Sequence, residues 1–161
     1  MPTLFRNARI FDGDSEVLRE GHNVLVDRGL ISRISPTPLD ANELAETVDC
    51  AGRVLMPGLI DAHVHVYAAG LNFTRIAQSP MSYLAHFAAR FMRASLDRGF
   101  TTLRDAGGGD VGLASALKDG LLEGVPRLFY GGRAIRPAAM ATSGPAITPC
   151  HMPANAAACA T

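Results

Sequence analysis

The chain has 161 residues, 48% of them hydrophobic and 19% charged, a balance that describes a globular protein and excludes an intrinsically disordered one. Fifteen basic side chains offset fifteen acidic ones, so there is no electrostatic case for nucleic acid or an anionic membrane as partner. The start, Met1 to Arg6, lacks the basic and long apolar regions of a signal peptide, and no apolar run approaches the roughly 18 residues of a membrane span. Three widely spaced cysteines, Cys50, Cys150 and Cys159, suggest reduced thiols in a cytoplasm rather than a disulfide framework.

In chain order, Leu4 to Phe11 and Asn23 to Val26 read as short strands. Asp27-Arg28-Gly29 is a tight reversal into Leu30 to Ile34, which is a hairpin signature, and Pro36 and Pro38 end that strand. Val48 to Leu55 reads as a further strand broken by a turn at Ala51-Gly52. Strands this few and short bury little by themselves, so residues 1–56 are expected to pack on something else.

The pattern changes after Met56-Pro57-Gly58. Leu59 to Val66 reads as one buried strand, and Ser79-Pro80 as a helix start, with Ser as cap and Pro at the first helical position. Met81, Leu84, Ala88, Phe91, Met92 and Ser95 recur at helical spacing on one face, with His86, Arg90, Arg93 and Asp97 opposite, and Gly99 ends the helix. Phe100 to Asp105 is a second strand and Gly107-Gly108-Gly109 a loop. Asp110 can cap a helix running to Gly124, and Arg127 to Tyr130 is a third strand. Strand, helix, strand, helix, strand is the grammar of parallel βαβ units, so the fold class is α/β. From Ala138 to Thr161 there is no Asp, Glu, Lys or Arg and no periodicity, which reads as a disordered tail.

The chemistry-bearing stretch is Met56-Pro57-Gly58-Leu59-Ile60-Asp61-Ala62-His63-Val64-His65-Val66. Strand side chains alternate, so Asp61, His63 and His65 are expected on one face. Two imidazoles two residues apart on a strand can present nitrogens to one cation, and imidazole suits zinc and other borderline divalent metals. A bare His-X-His is a weak signal; its position at the end of an apolar strand, directly after a Pro-Gly turn, strengthens it. Asp61 would hydrogen-bond one of the imidazoles or serve the turn. Arg104-Asp105, at the end of the second strand, would orient the site or form a strand-end ion pair or loop cap. His86 reads as solvated and His22 as a loop residue. The triple glycine lacks the Gly-Lys-Ser/Thr ending of a phosphate loop, and Ser143 lacks the Gly-X-Ser-X-Gly setting of a nucleophile.

The string PGLIDAHVHV resembles the first-strand signature of the amidohydrolase superfamily. RGFTTLRDAGG (Arg98 to Gly108) and GVPRLFYGGRAI (Gly124 to Ile135) are similar to its imidazolonepropionase-related, prolidase-like branch. The resemblance implies a (β/α)8 TIM barrel with a flanking β-sandwich, of which this chain would supply the first three βα units and half the sandwich. It implies one or two divalent ions, zinc foremost, with His63 and His65 on the more buried one. The ions polarise the scissile carbonyl and acidify a water that attacks it, at the carboxyl end of the barrel strands. A bridging carboxylated Lys or a Glu, two later His and a late Asp complete the family's set and have no counterpart here, so the chain alone is expected to be inactive and to contain no complete catalytic group. The implied substrates are dipeptides, N-acyl amino acids or cyclic amides, with oligomers in the complete enzyme.

In the family the segment after Gly-Arg-Ala-Ile leads into a Gly-Gly-His-Gly-Asp loop. Here Pro137 to Thr142 permit that string in a shifted frame, taking the third base of each codon with the first two of the next. The expectation is a single-base insertion or deletion near Ile135 to Pro137, an out-of-frame tail over 138–161, and a barrel segment over 57–137. The competing expectation is a truncated, non-catalytic paralogue that acts as a binding or assembly module.

Overall fold

The computed structural model describes residues 1–39 and 45–132. The expectations for the tail, including Ser143, Cys150, Cys159 and the frame near Ile135 to Pro137, lie outside the described residues. The chain divides into two compact units, Met1–Pro57 and Gly58–Thr161.

The first unit is a five-stranded mixed sheet of β1 (Thr3–Ile10), β2 (Arg19–Asp27), β3 (Leu30–Ser35), β4 (Glu46–Asp49) and β5 (Val54–Leu55), in the order β3-β2-β1-β4, with β5 also on β1. β1, β2 and β3 are antiparallel neighbours, while β4 and β5 run parallel to β1. The β2–β3 reversal has Arg28 and Gly29 at φ 50° and 76°, the pair of positive values that matches the twist of a two-residue hairpin. Asn7 at φ 55° interrupts β1, and Ala51 and Gly52 at φ 48° and 74° interrupt the return strand opposite it. The amide of Gly52 donates to the Asn7 carbonyl at 2.8 Å, so the two irregularities are stitched together and pairing resumes beyond them. Ala8, Ile10, Val24 and Cys50 form a small buried cluster. Leu30 and Ile31 on β3 remain 72% and 66% exposed, so this sheet leaves part of its apolar surface in solvent.

The second unit begins with a parallel three-stranded sheet, β6 (Leu59–Val64), β7 (Phe100–Asp105) and β8 (Arg127–Tyr130), in sequential order. Helix α2 (Met81–Asp97) links β6 to β7, and α3 (Val111–Lys118) links β7 to β8. The expected apolar face of α2 is the buried one: Leu84, Ala88, Met92 and Ser95 are buried, whereas His86, Arg90, Arg93 and Asp97 are exposed. That face joins Val64, Val66, Leu103 and Leu113 in one core. Gly99, at φ 89°, ends the α2 turn, and its carbonyl accepts from the Leu59 amide at 2.9 Å, which aligns the starts of β6 and β7.

One helix was not anticipated, and two helix boundaries need correction. A short helix, α1 (Phe73–Gln78), precedes α2, capped by the Asn72 side chain on the Arg75 amide. Ser79 does not cap α2: its hydroxyl donates to the Arg75 carbonyl and closes α1, and Pro80 occupies the cap position. Helix α3 stops at Lys118 rather than near Gly124. Gly120 at φ 70° lets the Leu121 amide reach the Ala116 carbonyl and its own amide reach Leu117, and this Schellman closure satisfies the last carbonyls. No helix among the described residues is long and apolar enough to cross a membrane.

Candidate metal centre

His63 and His65 lie at the carboxyl end of β6, both exposed, with Val64 between them turned into the helix-side core. Their ring centroids are 5.2 Å apart and nearly perpendicular, at 85°. The Nδ1 atom of His65 is 2.8 Å from the carbonyl oxygen of Gly107. A carbonyl only accepts, so Nδ1 carries a proton, and in this tautomer the lone pair lies on Nε2. Metal-binding histidines are characteristically held this way, the far nitrogen bonded to a carbonyl or carboxylate.

Asp61 does not reach an imidazole. Its carboxylate accepts from the backbone N–H of His63 at 3.0 Å, and the register of β6 on β7 slips by one residue between Asp61 and Val64, which interrupts strict alternation there. Asp105 is fully buried at the end of β7. Its two carboxylate oxygens accept from the backbone N–H groups of Val66 at 3.0 Å and Gly109 at 2.8 Å. The salt bridges among the described residues are Arg19–Asp12 and Arg28–Asp27, so Asp105 acts as a loop cap and not as the ion-pair partner of Arg104. Beside it, the Tyr67 hydroxyl donates to the Asp110 carboxylate at 3.0 Å, and that carboxylate also caps α3 through the Leu113 amide. His86 is exposed on α2, and His22 lies within β2 rather than a loop, its Nδ1 2.8 Å from the Glu20 carbonyl.

The sequence reading missed the Gly107 carbonyl and the Tyr67–Asp110 bond. A backbone carbonyl has no residue type to flag it. Its one clue was a glycine run immediately after a strand whose end lies beside the His-X-His strand.

No group of three or more His, Cys, Asp or Glu side chains is placed to hold a metal among the described residues. The donor chemistry nevertheless fits a borderline divalent ion: two imidazoles close together, one with its tautomer fixed so that Nε2 is free to donate.

Residues 46–109 match the amidohydrolase family. A solved amidohydrolase is 42% identical, with a TM-score of 0.76 over 83% of this chain and 32% of that one. A prolidase solved with N-methylphosphonate-L-proline is 36% identical, with a TM-score of 0.75 over 82% of this chain and 32% of that one. The imidazolonepropionase of Ectopseudomonas mendocina is 41% identical over 69 residues, which cover 42% of this chain and 17% of the relative. The chain therefore spans about a third or less of the length of these relatives. By motif and fold, the chain is similar to the amidohydrolase family over residues 46–109 and to solved amidohydrolases and prolidases over most of its length.

Proposed function

We propose that the chain supplies the His63/His65 half of the metal site of a hydrolase that cleaves amide bonds. The observation that carries this reading is the Gly107 carbonyl on Nδ1 of His65, which leaves Nε2 as the donor beside His63. A divalent ion held there, zinc by preference of the donor set, supplies Lewis acidity to an amide carbonyl and lowers the pKa of nearby water. The chain's own groups do the holding. Val64 anchors the strand in the core between the two histidines, the Asp61 carboxylate fastens the His63 backbone, and the Gly107 carbonyl holds the His65 ring. Two imidazoles leave half of a tetrahedral shell to other groups. On this reading the chain by itself binds metal weakly and turns over no substrate.

The architecture supports the same reading. We take β6, β7 and β8 as the opening strands of a (β/α)8 barrel, with the site at their carboxyl ends, and residues 1–57 as half of a β-sandwich. Similarity to a prolidase and to an imidazolonepropionase favours a dipeptide, N-acyl amino acid or cyclic amide as substrate.

A chimera tests the proposal. Residues 58–132 replace the equivalent segment of the solved prolidase, whose other strands complete the site. The chimera should retain bound metal and activity on the prolidase's own substrate, and the His63→Ala/His65→Ala version should lose both. Normal metal content and rate in the double variant would sink the assignment.

A further inference from the structure

We infer that Asp105 is a positioning residue that fixes the tautomer and orientation of His65. The inference takes its purpose from the metal-site reading above, but its geometry stands apart from it. His65 is flanked by two backbone anchors, both on the end of β7. The Val64 carbonyl accepts from the Ala106 amide at 2.8 Å, and the Val66 amide donates to Asp105 Oδ1 at 3.0 Å. The other carboxylate oxygen, Oδ2, accepts from the Gly109 amide at 2.8 Å and closes the loop 106–109 back onto its own strand. Gly107, whose carbonyl holds Nδ1 of His65, sits inside that closed loop. One buried carboxylate thus ties down both the strand that carries His65 and the loop that carries its hydrogen-bond acceptor.

The residue type follows from the two bonds. Both partners are donors, so both side-chain oxygens must accept, and an ionised carboxylate is acceptor-only on both. An Asn would turn an NH2 group toward one of the two amides. The approach is also tight: a Cβ on Gly109 would lie 2.9 Å from Asp105 Oδ2, so glycine at 109 is part of the same arrangement. The Gly107–Gly108 peptide has one further anchor, the Gly108 amide on the Gly132 carbonyl at 2.8 Å; with the Asp105 clamp loosened, the loop keeps only that tie, and the His65 ring gains freedom to carry its proton on Nε2, the atom a metal needs bare.

The test uses the metal-free full chain above neutral pH, with long-range 15N–1H NMR correlations of the imidazoles. The unaltered chain should show His65 as the Nδ1–H tautomer. Asp105→Asn should convert it to a mixture containing Nε2–H, with His22 unchanged as an internal reference. Gly109→Ala, which keeps the carboxylate and crowds its loop-side bond, should move His65 the same way by a smaller amount, and it carries the test if the Asn variant does not fold. Zinc affinity measured by titration should fall roughly 10–100-fold in Asp105→Asn, the usual cost of losing support behind a ligand. A tautomer shift in a chain that binds no zinc would retain the positioning role and remove the metal reading. A folded Asp105→Asn or Gly109→Ala variant with His65 still wholly Nδ1–H would overturn the inference.

Discussion

Gly58 immediately precedes β6 and lies against Thr101 of β7: a Cβ there would lie 2.1 Å from Thr101 Oγ1. Thr101 is β-branched and stiff, so it cannot swing away without moving the strand. Gly58→Ala should therefore cost about 1–3 kcal/mol, the usual range for overpacking, read as a lower urea midpoint. An unchanged midpoint would mean that the strands part here without penalty. A second residue-scale expectation concerns Asp12, in the loop between β1 and β2. Its carboxylate accepts from the backbone N–H of Ser15 and of Asp14 and sits beside Arg19, and these hold its pKa below the ordinary aspartate value, the Ser15 bond foremost. A depressed folded value means the contribution is present above the unfolded pKa and disappears as pH falls through the folded one. An NMR titration of the Asp12 carboxyl should find its midpoint lower than that of an unstructured peptide; a midpoint equal or higher would remove the loop's pH dependence.

Among the elements, α2 gives the sharpest contrast between faces. Met92 is fully buried against the sheet, so Met92→Ala should destabilise by about 2–5 kcal/mol. His86→Ala, on the exposed face, should stay within about 0.5 kcal/mol. Comparable losses for both variants, measured by denaturant unfolding, would show that α2 is not packed by this face. The face was legible because seventeen residues give nearly five turns of periodicity. Helix α1, with six residues, is too short to show a period, and its presence is why Ser79 was read as a start when its hydroxyl closes the preceding helix. The end of α3 was misread for a different reason. Gly120 and Gly124 are both competent stops, and the apolar Leu121 and Leu122 prolong the helical pattern past the first of them. The Schellman bonds that decide for Gly120 are backbone contacts, which composition does not display.

For the molecule as a whole, the parallel β6-β7-β8 order and the two-unit division follow from features the chain writes openly, namely apolar runs, Pro-Gly punctuation and helical spacing. The pair His63 and His65 was equally open, since two-residue spacing on a strand puts side chains on one side. What spacing could not convey is the slip between Asp61 and Val64, which turns Asp61 to the backbone, or the closed glycine loop that brings a carbonyl to His65. Those depend on a strand some forty residues away. The central claim, that His63 and His65 form one half of a divalent-metal site, is tested most directly by adding zinc to the labelled chain and following every histidine ring by NMR. The account predicts that the His63 and His65 rings shift together, with weak affinity and with the change at Nε2 of His65, while His22 and His86 stay still. Zinc shifts that spare His63 and His65, or that appear equally at His22 and His86, would contradict it.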